Sequence, residues 1–200
     1  MSNALIMETP PEGTLSGGVS FLRIFFFFLH KLDDRKELVY LKKIKWKLLI
    51  FCLIIPLAVG GVSGFLIKND VNSYLQVQRP PLSPPSLLFP IVWTILYFLM
   101  GVSSYLLLNQ IISPKSEIQT KSALWIYGTQ LAVNFFWPLI FFQMKQYLFA
   151  FFWLLLLIVL VIWMIRAFYL LKPTAAYLQI PYLIWILFAA YLNFGVYWLN

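Results

Sequence analysis

Long stretches without a single charged side chain alternate along this chain with short charged or proline-rich connections. Five stretches lack any Lys, Arg, Asp or Glu: Leu48–Ile67, Leu87–Ile112, Ser122–Met144, Gln146–Ile165 and Pro173–Asn200. Each supplies the roughly 20 residues that a helix needs to cross a hydrocarbon core of ~30 Å. Backbone polar groups must be satisfied internally in lipid, and uninterrupted apolar runs do this as helices, not as alternating barrel strands. The pattern therefore predicts an all-α membrane protein, a five-transmembrane-helix bundle. The connections near 113–121, 145 and 166–174 are short, so successive spans are expected to be antiparallel neighbours. Pro181 is expected to kink the fifth span. No internal repeat is visible, and five spans do not divide into the two halves of an inverted-repeat transporter.

Residues 1–45 read differently from residues 46–200. Met1–Ser20 is rich in Pro, Gly, Ser and Thr, and FLRIFFFFLH (21–30) is too short to span. The segment is expected to be a basic extension, partly disordered or lying at the membrane interface. Seven of the 15 basic residues fall between Lys31 and Lys47, just before the first span. That placement turns the net charge of +8 toward an anionic lipid surface and away from nucleic acid, and predicts a cytoplasmic N-terminus. The overall composition agrees with a lipid-embedded chain: 62% of residues are hydrophobic and 11% charged, against about 25% charged in soluble domains. Cys52 is the only cysteine, so no internal disulfide can form.

All seven acidic residues and His30 lie outside the spans. Ion-coupled transport and general acid–base catalysis usually draw on ionisable groups inside the bundle, and a metal site or a histidine-ligated haem has no ligands to use. Hydrolases, pumps and metalloenzymes are disfavoured. What the spans hold instead is aromatic: the chain has 8 Trp, 11 Tyr and 19 Phe. Trp46 and Trp198 fit an interfacial belt. Trp93, Trp137 and Trp185 do not; Trp185 lies about 18 Å past Pro173 at 1.5 Å per residue, near mid-bilayer. Helical spacing places Trp93, Tyr97 and Met100 on one face of the second span. It does the same for Gln130, Asn134, Trp137 and Phe141 on the third, and for Tyr182, Trp185, Ala189 and Asn193 on the fifth. Three such faces suit a pocket for a large, flat, apolar ligand; a core simply packed with aromatics and tied by amide hydrogen bonds fits the same periodicity.

The segment QRPPLSPPS (78–86) bears on that choice. Pro80, Pro81, Pro84 and Pro85 hold it extended and out of any helix, so it is expected to lie as a stiff strap over one end of the bundle. Ser83 or Ser86 is a candidate cap for the following helix. Gly60 and Gly64 have a spacing that lets membrane helices approach closely, in ordinary bundle packing or at a dimer face.

At this point RPPLSPPSLLFPIVWTILYFLMG (79–101) closely resembles the signature of the TspO/MBR family. LAVNFFWPLIFF (131–142) is similar to that family's third helix and IPYLIWILFAAYLNFGVYWLN (180–200) to its fifth. The resemblance spans residues 46–200. It implies a five-helix bundle, often homodimeric, that binds porphyrins, haem-related tetrapyrroles or sterols beneath the first inter-helix loop, with no covalent cofactor. Tyr74, Pro80, Pro84, Pro85, Trp93, Tyr97, Gln130, Asn134, Trp137, Tyr182, Trp185 and Ala189 are the candidate ligand-binding residues. The resemblance also implies catalytic roles for Trp93 and Trp185, whose counterparts in some bacterial members are linked to light- or oxygen-dependent breakdown of protoporphyrin. The chain departs from the pattern in several places. Leu82 stands where the strap usually has tryptophan, Ser73 where the loop often has one, and Phe152–Trp153 where the fourth helix often has an acid. No Lys or Arg follows Tyr191, which disfavours the family's sterol-recognition pattern. The leading reading is a membrane tetrapyrrole-binding sensor or regulator. A tryptophan-dependent porphyrin-degrading enzyme and a transporter of amphiphiles stand as alternatives, and a scaffold whose Gly60/Gly64 face meets partners is a further one.

Overall fold

The chain is seen here as a computed structural model that describes residues 44–71, 76–109 and 114–200. The N-terminal extension up to residue 43 and the candidate Tyr74 lie outside the described residues. Helices α1 (Trp46–Leu66) and α2 (Leu88–Leu108) form the first two spans. Helix α3 (Pro114–Pro138) continues through a π-helical turn, Leu139–Gln143, as the third. Helix α4 (Tyr147–Leu171) is the fourth, and α5 (Pro173–Tyr177) with α6 (Ile180–Leu199) makes the fifth. The described residues thus contain five helical segments long and apolar enough to cross a membrane.

Short connections do not make every successive pair neighbours. Around the ring α1 touches α2 and α3, α3 touches α4, α4 touches α5 and α6, and α2 meets α5. The second and third spans scarcely approach along their backbones. A short connection fixes how far apart two ends are, while the small and aromatic side chains decide which helices pack. On α2 that choice is made by Gly101. A Cβ there would lie 2.8 Å from the Leu53 Cα and 2.9 Å from the Cys52 carbonyl oxygen, so only glycine allows α1 this close. The same carbonyl is the one whose usual donor, the N–H of residue 56, is missing because that residue is Pro56.

Two further expectations change. Pro181 does not kink a continuous helix. The fifth span breaks at Leu178–Gln179 and Pro181 sits in the first turn of α6, where its absent N–H costs nothing. Neither Ser83 nor Ser86 caps α2, whose N-cap is Leu87 without a side-chain bond; the Ser83 hydroxyl donates instead to the Pro80 carbonyl, 2.8 Å away. The third span also begins earlier than its uncharged stretch. Its first turns carry the Glu117–Lys121 ion pair, 2.7 Å at i,i+4 spacing, which extends the helix beyond the apolar region.

The core lies between α2, α3, α4 and α6: Met100, Leu107, Leu154, Leu157, Val161, Met164, Phe168 and Ile186 are fully enclosed. Helix α1 stands apart. Only Cys52, Pro56 and Ser63 are buried along its length, so it leans on the bundle and does not share its centre.

Candidate ligand site beneath the proline strap

The strap is fixed to the far side of the bundle. The Asn200 amide pairs with the Gln78 backbone in both directions, Gln78 N–H donating to Oδ1 and Nδ2 donating to the Gln78 carbonyl, each at 3.0 Å. The Tyr191 hydroxyl donates to the Pro81 carbonyl at 3.0 Å. Pro80 is buried with its ring against Gly195, where a Cβ would come within 2.6 Å of the proline. Tyr191 and Gly195 of α6 and Asn200 just past its end therefore hold residues 78–81. The chain then turns through Leu82, at φ 68°, and the Pro85 carbonyl accepts from the Leu88 N–H at 2.9 Å as α2 begins.

On the strap side of the bundle α1 and α2 diverge and leave a cavity of about 570 Å³, within the usual range for small-molecule sites. Its inner wall is Trp93, Tyr97, Trp137, Pro138 and Phe142; its outer wall is Leu57, Gly60, Gly61, Gly64 and Ile67 of α1. Among the described residues no charged side chain lines it. Trp93 is half-buried and stacks on Tyr97, with centroids 5.4 Å apart and planes 29° apart. The Tyr97 ring in turn lies on bare backbone, since a Cβ at Gly60 would collide with it. Gly64, about 40° further round α1 at 100° per residue, meets only open space.

The sequence-predicted residues fall into layers. Trp93, Tyr97 and Trp137 line the cavity. Behind Tyr97 lies an uncharged polar layer: Tyr182 donates to Gln130 Oε1 at 3.0 Å, and its ring meets Trp93 edge-on at 6.1 Å. The Tyr97 and Tyr182 hydroxyls approach Asn134, although neither amide atom of Asn134 makes a hydrogen bond of normal geometry to a described residue. Behind Phe89 lies Trp185, buried between Phe89 at 5.8 Å and Phe188 at 5.7 Å. Trp185 is not among the cavity-lining residues, and Ala189 borders a separate hollow of only about 20 Å³. Pro80, Pro84 and Pro85 shape the strap without lining the cavity. Trp137 is held by its own indole, which donates to Asn193 Oδ1 at 3.2 Å, while Asn193 Nδ2 donates to the Tyr147 carbonyl at 2.7 Å.

The α1 wall was not among the predicted residues. Its signal was present in GGVSG (60–64), because three glycines on one side of a helix remove the side chains that would fill a gap. The spacing alone reads equally as helix packing, and Gly60 does serve that purpose.

This fold and this enclosure define a polytopic helical membrane protein with an aromatic, uncharged pocket at one end of the bundle. The profile of the TspO/MBR family matches residues 52–199. A tryptophan-rich protein TspO from Archaeoglobus fulgidus is 34% identical over 153 residues, covering 76% of this chain and 96% of the relative. A translocator protein from Ovis aries is 36% identical over 140 residues, covering 69% and 82% respectively. A tryptophan-rich sensory protein from Cereibacter sphaeroides is 36% identical over 146 residues, covering 70% and 84%. The chain belongs to the TspO/MBR family.

Proposed function

We propose that this protein binds a tetrapyrrole of the porphyrin or haem-related class in the cavity between α1, α2 and α3 and acts as a sensor or regulator of such molecules. The observation that carries the reading is the match between a flat, greasy ring and a slot of about 570 Å³ walled by Trp93, Tyr97 and Trp137 on one side and bare glycine backbone on the other. Macrocycle carboxylates would stay at the rim, where Lys68 directly follows the wall residue Ile67. Names such as sensory protein and translocator protein among the relatives support a ligand-handling role.

Titrating protoporphyrin against the purified protein is expected to quench tryptophan fluorescence saturably. Burying an aromatic contact of this size is worth about 1.5–3 kcal/mol, so Trp93→Ala should weaken affinity by roughly 10- to 150-fold. Unsaturable quenching, or an affinity unmoved by Trp93→Ala, would overturn the reading.

A second reading is favoured by Trp93 and Phe89 on the cavity wall and by Trp185 one ring behind, 5.8 Å from Phe89: the bound porphyrin is degraded with light and dioxygen. Illumination in air then removes the porphyrin absorbance in the parent and spares it in Trp93→Phe. Persistent absorbance in the parent leaves a binder only. We also place the basic N-terminal side in the cytoplasm, with the strap on the opposite face. The assembly proposed is a homodimer whose contact uses a face other than Gly60 and Gly64. Size measurement in detergent and protease access to the N-terminus in oriented vesicles test these two points.

A further inference from the structure

The cavity has a second boundary besides the strap, and its residues describe how cargo gets in. Apart from Ser86 at the end of the strap, every exposed residue of the cavity wall belongs to one seam: Leu57, Gly61 and Gly64 on α1, and Pro90 and Thr94 with the preceding Leu87 on α2. The α3 contributions, Trp137 and Pro138, are buried. The seam is shut toward the opposite side of the bilayer by the Gly101–Leu53 contact and by Tyr97 on Gly60, so it opens as a wedge toward the strap end. Gly61 lies about 7.5 Å before the end of α1 and Thr94 about 9 Å inside α2 at 1.5 Å per residue, so the mouth stands within the hydrocarbon layer.

The lips suit lipid. The Thr94 hydroxyl donates to the Pro90 carbonyl at 2.8 Å and the Ser63 hydroxyl to the Gly60 carbonyl at 3.2 Å, which turns both polar groups back onto their own helices. A Cβ at Gly61 would meet nothing within 4 Å, so no side chain of the described residues stands in the gap there. The strap, by contrast, is held at residues 78–81 by Asn200, Tyr191 and Gly195. We infer that the cavity is loaded sideways from the bilayer, through the seam between α1 and α2, by flat apolar molecules already dissolved in the membrane, with the strap remaining seated. The inference relies on the tetrapyrrole reading for the identity of the cargo but not for the route.

The route is tested with a probe that is not a porphyrin. In a Cys52→Ser background, Gly64→Cys places one thiol in the cavity wall. The protein is reconstituted in vesicles, and labelling by pyrenylmaleimide, a flat uncharged reagent that dissolves in lipid, is followed over time. Adding Gly61→Phe, or Thr94→Phe on the other lip, is expected to slow labelling about tenfold, whereas Asn200→Ala, which removes the strap's anchor at Gln78, leaves the rate unchanged. Labelling that both seam variants leave at the parent rate would overturn the inference, and so would acceleration by Asn200→Ala, since cargo would then pass beneath the strap. Because the porphyrin titration is a separate measurement, failure of the route and failure of the ligand reading give different results.

Discussion

Single residues set the shape of the site, and the glycines show it most directly. A Cβ at Gly101 meets α1 backbone at 2.8 Å, and backbone cannot give way; Gly101→Ala should cost about 1–3 kcal/mol of stability, read as a lowered unfolding temperature in detergent. Gly128, with nothing within 4 Å of its Cβ, should behave oppositely. Gly128→Ala is expected to gain about 0.5–1 kcal/mol in the same assay, because α3 loses a flexible unit and nothing clashes. Backbone strain is equally local. Leu82 and Lys145 hold φ 68° and 54°, a region that costs a residue with a Cβ about 1–2 kcal/mol, so Lys145→Gly should raise the unfolding temperature. Of these features the sequence displayed the glycines but not their neighbours. GGVSG and Gly101 look alike in a string, and only the packing separates the glycine that admits a helix from the one that bounds a cavity.

At the scale of elements, the strap is the feature whose fold was most legible and whose attachments were least so. Four prolines announce an extended, non-helical segment from sequence alone. That α6 would hold it through Asn200, Tyr191 and Gly195 depends on contacts more than a hundred residues apart in the chain, which no local pattern encodes. Losing a hydrogen bond of this kind costs about 0.5–1.5 kcal/mol, so Asn200→Ala should speed amide exchange at Gln78 by up to roughly tenfold while core amides of α4 stay protected. Equal protection at Gln78 in parent and variant would show that the Asn200 pairing does not anchor the strap. The start of α3 illustrates the reverse case. Glu117 and Lys121 were readable as an i,i+4 pair, but their charge ends the apolar stretch that marks a span, and the two signals point to different boundaries.

For the whole molecule, apolar length was sufficient to count the spans and define the fold class, because lipid leaves the backbone few other solutions. It could not order the spans around the ring. That order follows from which faces are small enough to meet, and it decides where space remains: α1, buried at only three positions, leans away from α2 at the strap end and leaves the cavity there. Helical periodicity correctly put Trp93, Tyr97 and Trp137 on inward faces, but it could not tell a wall residue from one a ring behind, such as Trp185. The claim on which the functional account rests is that this one cavity, and no other part of the bundle, receives the ligand. Gly64→Phe measures it most directly, because the new ring would occupy open space and leave the core untouched. Protoporphyrin affinity, read by tryptophan quenching, should fall by at least about tenfold with the helical circular dichroism and unfolding temperature of the parent retained. A folded Gly64→Phe protein that binds protoporphyrin as tightly as the parent would contradict the account.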